Sequence, residues 1–210
     1  LARCEHQGFM HCLLWIHQQI DDLIEDLLDE AAVMAALRIA KQRVSLALGL
    51  ADLGGWWSSV TISQHLSEFA DKAVSTTVDH LMISLHHRGK IDLSNLDSPR
   101  VGCGYTVIAM GKHGAGELNY SSDIDLVVIT DPEGPSFNDP DDALADCIRI
   151  TKSLVRILQD RTEHGYVFRT DLRLRPDPGS MPLAVPIQTA LNYYEARGQN
   201  WERAAFIKAR

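Results

Sequence analysis

The 210-residue sequence has no apolar run near the roughly 18 residues that a membrane span requires. It is also short of positive charge, because 20 Lys and Arg face 28 Asp and Glu, for a formal charge of −8. A protein that coats nucleic acid needs a basic surface to bind the phosphate backbone, so we expect no nucleic-acid partner and no membrane partner. An acidic chain can still bind a nucleotide when metal ions bridge the negative charges.

Cysteine is scarce as well, with four residues at positions 4, 12, 103 and 147. They form no Cys-x-x-Cys pair, and four cysteines in a chain of this length do not indicate a disulfide scaffold. We therefore expect reduced thiols in a cytoplasmic protein. The first residue is Leu and no signal-peptide pattern follows it, so we interpret the sequence as a fragment of a longer protein.

Residues 1–97 have the apolar spacing of helices. Apolar side chains recur every three or four residues from 13 to 37, and a second amphipathic run covers 61–87. Gly54 and Gly55 separate the two runs, as expected for a helix break. This pattern predicts a helical region.

Six acidic residues fall between positions 21 and 30, opposite the apolar stripe. Such a cluster is typical of a solvated helix face. A docking face for a basic partner is the alternative, and it would make the helical region an interaction scaffold.

From residue 98 onward, short β-branched runs alternate with turns and helices. The predicted strands are Tyr105–Met110, Ile124–Thr130 and Tyr166–Arg175. Asp139 is positioned to cap a helix that begins with Pro140, Pro186–Arg197 forms another, and Asn200 is a candidate cap for a third. This order indicates an α+β fold in which a helical region, 1–97, precedes a mixed β-sheet core with helices, 98–210.

Three aspartates are the candidate catalytic and metal-binding residues. Asp123 and Asp125 alternate at the start of an apolar strand, so their carboxylates should point to one side, about 6–7 Å apart at the backbone. Like charges this close both ionise readily only with a cation between them, and oxygen ligands favour Mg²⁺ or Mn²⁺. Asp171, on the predicted strand 166–175, supplies a third carboxylate. Three such groups can hold two metal ions about 3.5–4 Å apart for phosphoryl or nucleotidyl transfer.

A glycine-rich segment precedes the aspartates and contains Gly111, Lys112 and Gly114. It differs from a P-loop because the lysine comes before the glycines. Its backbone amides, with Ser121 and Ser122, are candidates for cradling a diphosphate or triphosphate. A tight turn is the alternative interpretation of the glycines, and turn capping is that of the serines.

Three basic residues are candidate phosphate ligands. Arg173 and Arg175 alternate with leucines, so on a strand they would share a face with Asp171. Guanidinium groups beside a metal site suit phosphate oxygens, although salt bridges to local acids are the alternative. Lys208, near the end of the sequence, is a further candidate.

Three motifs in this order resemble the nucleotidyltransferase module of bacterial glutamine synthetase adenylyltransferase/adenylyl-removing enzymes. The first is Gly-Lys followed by Gly-Glu-Leu-Asn-Tyr-Ser-Ser-Asp-Ile-Asp-Leu, within 111–126. The others are Tyr-Val-Phe-Arg-Thr-Asp-Leu-Arg-Leu-Arg-Pro at 166–176 and Gly-Gln-Asn-Trp-Glu-Arg-Ala-Ala-Phe-Ile-Lys-Ala-Arg at 198–210. The resemblance is strong over about 100–210 and loose over the helical half.

This resemblance implies a fold of the DNA polymerase beta-like nucleotidyltransferase superfamily, in which the metal-binding triad corresponds to Asp123, Asp125 and Asp171. Such enzymes have two related halves: one removes AMP from an adenylylated tyrosine of glutamine synthetase by phosphorolysis, giving ADP, and the other adds AMP from ATP. The Ser-Ser-Asp-Ile-Asp-Leu form and the Asn-Trp-Glu-Arg-Ala ending resemble the AMP-removing half more closely. The family also implies regulation by a signalling protein of the PII type.

Two alternatives to this function remain. The first is the AMP-adding half of the same family. A module that binds nucleotide for regulation without catalysis is the second alternative, and the presence of all three aspartates argues against it.

Overall fold

A computed structural model describes residues 28–210, together with residues 8, 10, 11, 14, 18 and 20. The helices are α1 (Glu30–Leu53), α2 (Ser59–His87), α3 (Gly111–Gly114), α4 (Pro140–Gln159), α5 (Ile187–Ala196) and α6 (Asn200–Ala205), with a 3₁₀ turn at Phe206–Lys208. The strands are β1 (Tyr105–Met110), β2 (Ile124–Thr130), β3 (Thr170–Asp171) and β4 (Ala184–Pro186). The predicted α+β class, with helices preceding a mixed sheet, is confirmed.

The second predicted amphipathic run, 61–87, lies within α2, whereas α1 begins at Glu30, inside the first predicted run of 13–37, because Leu28 and Asp29 are not helical. Asp29 caps α1 by accepting a hydrogen bond from the Ala31 amide at 2.9 Å. Ser58 caps α2 by accepting from the Thr61 amide at 3.2 Å. Gly54 ends α1, which confirms the predicted break. Most of the predicted acidic face, positions 21–27, lies outside the described residues.

The central strand of the sheet is β2. It pairs antiparallel with β1, and parallel with both β3 and β4. Its core positions Ile124, Leu126 and Val128 are fully buried. This mixed pairing places the start of β2 beside β3, which positions the candidate site at one edge of the sheet.

The predicted strand Tyr166–Arg175 is wrong in extent, because only Thr170 and Asp171 pair with β2. The Asp171 side chain accepts a hydrogen bond from the Arg173 amide at 2.8 Å, and this local bond turns the chain away from the sheet. The alternating pattern therefore does not continue as a strand, because the Asp171 side chain bonds the backbone two residues later.

Two helix starts in the second region can be compared with their predicted caps. Asp139 caps α4, as predicted, by accepting from the Asp141 amide at 3.1 Å. The predicted cap of α6 is wrong by one residue: Gln199 occupies the cap, and Glu202 bonds back to the Gln199 amide at 2.7 Å. Reciprocal bonding between a cap and the third helical residue favours this position over Asn200.

The two regions share one hydrophobic core. Phe69 of α2 lies against Phe168, with ring centroids 5.9 Å apart. Arg38 of α1 is fully buried and donates to the carbonyls of Asp160 at 2.5 Å and Gly165 at 2.8 Å. The helical region is thereby fixed to the segment that leads into β3, while the division at residue 97 stays a prediction.

Two of the four cysteines lie in the part of the chain that the structure describes. Cys103 and Cys147 are buried and free, and burial raises the pKa of the Cys147 thiol to about 11. In the part of the chain that the structure describes, none of the helices combines the length and apolarity that crossing a membrane demands.

Candidate active site

Three carboxylates meet at the edge of the sheet. Asp123 immediately precedes β2, and Asp125 in β2 is the in-register partner of Asp171 in β3. Neighbouring strands lie about 4.7–4.9 Å apart, so the two paired aspartates are adjacent across the sheet. The structure thus brings together the three aspartates that the sequence singled out.

Gly111 leaves room for one of these carboxylates. A β-carbon at this position would lie 2.5 Å from the Asp125 Oδ2, and the backbone φ of 55° favours glycine independently. The glycine after β1 therefore allows close approach of the chain to Asp125.

Electrostatics distinguish two of the aspartates. Burial raises the pKa of Asp125 above its usual value, and the charges of Asp171 and Asp123 add to this increase. The pKa of Asp171 is lowered, chiefly by its hydrogen bonds with the Arg173 side chain. Burial and neighbouring negative charge therefore both disfavour the ionised form of Asp125.

Two arginines contact the flanking carboxylates. Arg173 donates to Asp171 Oδ2 through Nε at 2.9 Å and through Nη2 at 2.5 Å. Arg169 contacts Asp123 through Nε and donates through Nη2 to the Ser121 carbonyl at 2.9 Å. Arg169 was not among the site residues predicted from the sequence, although it stands two residues before Asp171, as Arg173 stands two residues after it.

The three carboxylates have the oxygen chemistry that Mg²⁺ and Mn²⁺ prefer. Within residues 28–210 and the few described before them, however, no three acidic, His or Cys side chains are arranged as a preformed metal site. The crowding that raises the pKa of Asp125 is of the kind that a divalent cation relieves. The donor set therefore fits such a cation, while guanidinium groups are the cationic partners of Asp123 and Asp171 in this structure.

Beside the carboxylates lies a cavity of about 480 Å³, within the size range of small-molecule sites. Lys152, on α4, is one of its lining residues and was not predicted as a site residue from the sequence. The Thr170 hydroxyl is buried and has no hydrogen-bond partner among the described residues. The lining residues are Asp123, Lys152, Val155, Thr170, Asp171, Leu172, Arg173 and Leu183.

The glycine-rich segment folds as the short turn α3 rather than as an open loop. A β-carbon on Gly114 would lie 2.0 Å from the Lys208 carbonyl oxygen, so tight packing against the end of the chain accounts for this glycine. Lys112 is exposed on the same turn. The predicted phosphate contacts of this segment stay a prediction.

The remaining predicted site residues have local partners. Ser122 Oγ accepts from the Asn119 amide at 3.1 Å, which is a turn-capping bond. Lys208 Nζ bonds Glu117 Oε2 at 2.9 Å. Arg175 donates to the carbonyls of Leu172 at 2.9 Å and Pro178 at 2.8 Å, so it stabilises the turn after β3. Because the strand ends at Asp171, Arg175 does not share a strand face with that residue, contrary to the prediction.

Comparison with known proteins gives the family context for this arrangement. Residues 5–210 match the family model described as glutamate-ammonia ligase adenylyltransferase. A relative from Agrobacterium fabrum is 56% identical over 181 residues, covering 86% of this chain and 18% of the relative. A relative from Rhizobium meliloti is 54% identical over 183 residues, 87% of this chain and 19% of the relative. One from Bartonella henselae is 45% identical over 203 residues, 93% of this chain and 21% of the relative.

These relatives are named bifunctional glutamine synthetase adenylyltransferase/adenylyl-removing enzyme. The chain spans about a fifth of the length of the curated relatives it matches.

Proposed function

The chain belongs to the glutamate-ammonia ligase adenylyltransferase family, and we propose that it carries the site that removes AMP from an adenylylated tyrosine of glutamine synthetase. The observation that supports this proposal is the in-register pair Asp125 and Asp171, with Asp123 one residue before the strand. Three carboxylates at a sheet edge beside a cavity of about 480 Å³ suit a metal-dependent reaction at a phosphate.

The reaction is phosphorolysis. An oxygen of inorganic phosphate forms a bond to the phosphorus of AMP, and the bond from that phosphorus to the tyrosine oxygen breaks. The proton of the attacking phosphate passes to the released phenolate, so the products are ADP and an unmodified tyrosine. Nucleotide therefore enters as the adenylyl group of the substrate and leaves as ADP.

The residues of this chain have separate roles in the proposal. Asp123, Asp125 and Asp171 would hold Mg²⁺ or Mn²⁺, and such ions stabilise charge on attacking and leaving oxygens in phosphoryl transfer. The Arg173 side chain is 84% exposed beside Asp171, so its guanidinium group can reach phosphate oxygens. Lys152, which lines the same cavity, would supply a second positive charge for the adenylyl phosphate.

The AMP-adding reaction, with ATP as donor, is the second candidate function. The same triad would serve it, since the two reactions share the substituted phosphorus and differ in the attacking and leaving groups. The motif form Ser-Ser-Asp-Ile-Asp-Leu favours the removing direction by resemblance. Regulation by a PII-type protein is part of the same family inference.

The direction is tested with the full-length protein, adenylylated glutamine synthetase and inorganic phosphate. We expect ADP release that depends on Mg²⁺ or Mn²⁺ and on Asp171, so an Asp171→Asn variant of this site should lose it. If that variant releases ADP normally and instead fails to incorporate AMP from ATP, this site belongs to the adding reaction. Normal activity in both directions would indicate a module without a catalytic role.

A further inference from the structure

Lys41 of α1 is a buried cation whose ammonium group is not hydrogen-bonded. Its Nζ lies 4.0 Å from the centroid of the Phe168 ring and 5.7 Å from that of Phe69. In the part of the chain that the structure describes, Nζ has no hydrogen-bond partner. An ammonium group carries three donors, so burying it without an acceptor costs free energy unless a ligand supplies one.

Lys41 lines a small cavity of about 60 Å³. A water molecule needs about 10–15 Å³ measured this way, so the cavity has room for about four waters or for one tetrahedral anion of similar size. The segment Ser121–Ser122, directly before Asp123, forms one wall, and Arg169 forms another.

The polar groups around the cavity are suited to an anion. Its polar side chains are Lys41, Tyr120, Ser121, Ser122, Tyr166 and Arg169. An ammonium, a guanidinium and three hydroxyls can donate hydrogen bonds, and none of the described lining residues carries a carboxylate. The fourth hydroxyl, that of Tyr120, donates to Asp52 Oδ2 at 3.2 Å. Arg169 also bonds the Ser121 carbonyl and Asp123, so the cavity is connected to the carboxylate edge through one side chain.

We propose that this cavity is a phosphate subsite, in which Lys41 donates a hydrogen bond to a phosphate group held against the Ser121–Ser122 segment. The inference rests on the proposed function, in which inorganic phosphate is consumed and ADP is formed. The occupant is either inorganic phosphate or the distal phosphate of the nucleotide, which present the same oxygen chemistry. The helical region thereby contributes a residue to the site, through a lysine 80 positions before the serines.

Calorimetric titration of the full-length protein tests this subsite, with inorganic phosphate and ADP as separate ligands. The variant is Lys41→Met, which keeps the length of the side chain and removes its charge. A hydrogen bond to a charged group corresponds to about a 10- to 100-fold change in dissociation constant. The matched control is Lys90→Met, since Lys90 pairs with Asp142 and Asp146 on α4 and does not line the cavity.

We expect Lys41→Met to weaken binding by about 10- to 100-fold, with Lys90→Met unchanged within about twofold. Loss confined to phosphate identifies inorganic phosphate as the occupant, and loss confined to ADP identifies the distal phosphate of the nucleotide. Unchanged binding of both ligands, or no binding of either to the unsubstituted protein, would overturn the proposal. Lys41→Gln, which removes the charge but keeps a polar head, should show the same loss and serves if the Met variant does not fold.

Different experimental results would contradict this inference and the proposed function. If the protein adds AMP instead of removing it, the direction assay fails while nucleotide affinity still depends on Lys41. If Lys41 only packs against the two phenylalanine rings, the direction assay succeeds and both affinities stay unchanged in Lys41→Met.

Discussion

Arg38 in the helical region and Asp125 at the sheet edge are charged side chains removed from bulk water, and their surroundings differ. Arg38 has carbonyl partners at Met34, Asp160 and Gly165, all within 2.8 Å. Asp125 instead faces two other carboxylates, and its pKa is raised by burial and by their charges. The backbone thus provides hydrogen-bond partners for Arg38, whereas Asp125 lies among negative charges that a bound cation would neutralise.

Lys41 sharpens this comparison because it lies three residues after Arg38 on the same helix. Its ammonium has aromatic neighbours but no hydrogen-bond acceptor in the described structure. A buried charge that is fully bonded fixes the fold, whereas one that lacks a partner is available for binding. Substitution of Arg38 should therefore reduce stability, whereas substitution of Lys41 or of the carboxylates should reduce ligand binding.

The largest effect on stability is expected for Arg38→Met. This substitution removes the hydrogen bonds that the guanidinium group donates to the Met34, Asp160 and Gly165 carbonyls, and a hydrogen bond from a charged group contributes about 1.5–3 kcal/mol. Urea unfolding should show a loss of about 3 kcal/mol or more. Arg197→Met, at an exposed position after α5, should change stability by less than about 0.5 kcal/mol. Equal effects of the two substitutions would contradict a structural role for Arg38.

Near neutral pH, Lys41→Met should increase the stability of the protein, whereas Arg38→Met decreases it. Burial lowers the pKa of Lys41 from 10.5 to about 8, so below pH 8 the folded state retains a charge that it disfavours. At pH 7 in phosphate-free buffer, the variant should be more stable than the unsubstituted protein by up to about 3 kcal/mol.

This advantage should shrink as the pH rises from 8 towards 10.5, because the folded protein then loses the proton more readily than the unfolded chain. Urea unfolding at pH 7 and pH 10.5 gives the measurement. A variant that is less stable than the unsubstituted protein at pH 7 would show that the contacts with the phenylalanine rings outweigh the cost of the buried charge.

Substitution of Arg173 should reduce activity, whereas substitution of Arg175 should reduce stability. Arg173→Lys loses a two-nitrogen contact beside the carboxylates, and we expect about a 10- to 100-fold loss of ADP release with little change in unfolding. Arg175→Lys loses bonds to the Leu172 and Pro178 carbonyls, so it should reduce stability by about 1–2 kcal/mol. Activity assays and urea unfolding on both variants test this division, which fails if both substitutions act on the same quantity.

Two glycine substitutions should change the stability of the protein in opposite directions. In Gly114→Ala the new β-carbon meets the Lys208 carbonyl oxygen at 2.0 Å, so the backbone must shift at a cost of about 1–3 kcal/mol. In Gly49→Ala the β-carbon finds no described atom within 4 Å, and alanine stabilises a helix interior by about 0.5–1 kcal/mol. Thermal unfolding of the two variants checks the packing of α3 against the end of the chain.

Much of the fold follows from local sequence patterns. The periodicity of α2, the acidic cap at Asp139 and the apolar run of β2 are local signals, and the structure agrees with each. The strand at Tyr166–Arg175 was overestimated because alternation alone does not reveal that Asp171 bonds its own backbone and ends the strand.

Some residues of the candidate site could likewise be predicted from the sequence, and others could not. Asp123, Asp125 and Asp171 could be selected from spacing and motif, and their register follows from pairing of the two strands. Lys41 and Lys152 could not be selected, because each reaches its cavity from a helix far away in sequence. Only packing of the helices against the sheet reveals such residues.

Phosphorolysis by an Asp125→Asn variant tests the central claim most directly. The full-length protein carrying this substitution is assayed for ADP release from adenylylated glutamine synthetase with inorganic phosphate, beside the exposed control Asp97→Asn. We predict that Asp125→Asn lowers the rate by about 100- to 1000-fold without loss of stability, while the control keeps its activity. A fully active Asp125→Asn protein would contradict the assignment of catalysis to the three carboxylates at this sheet edge.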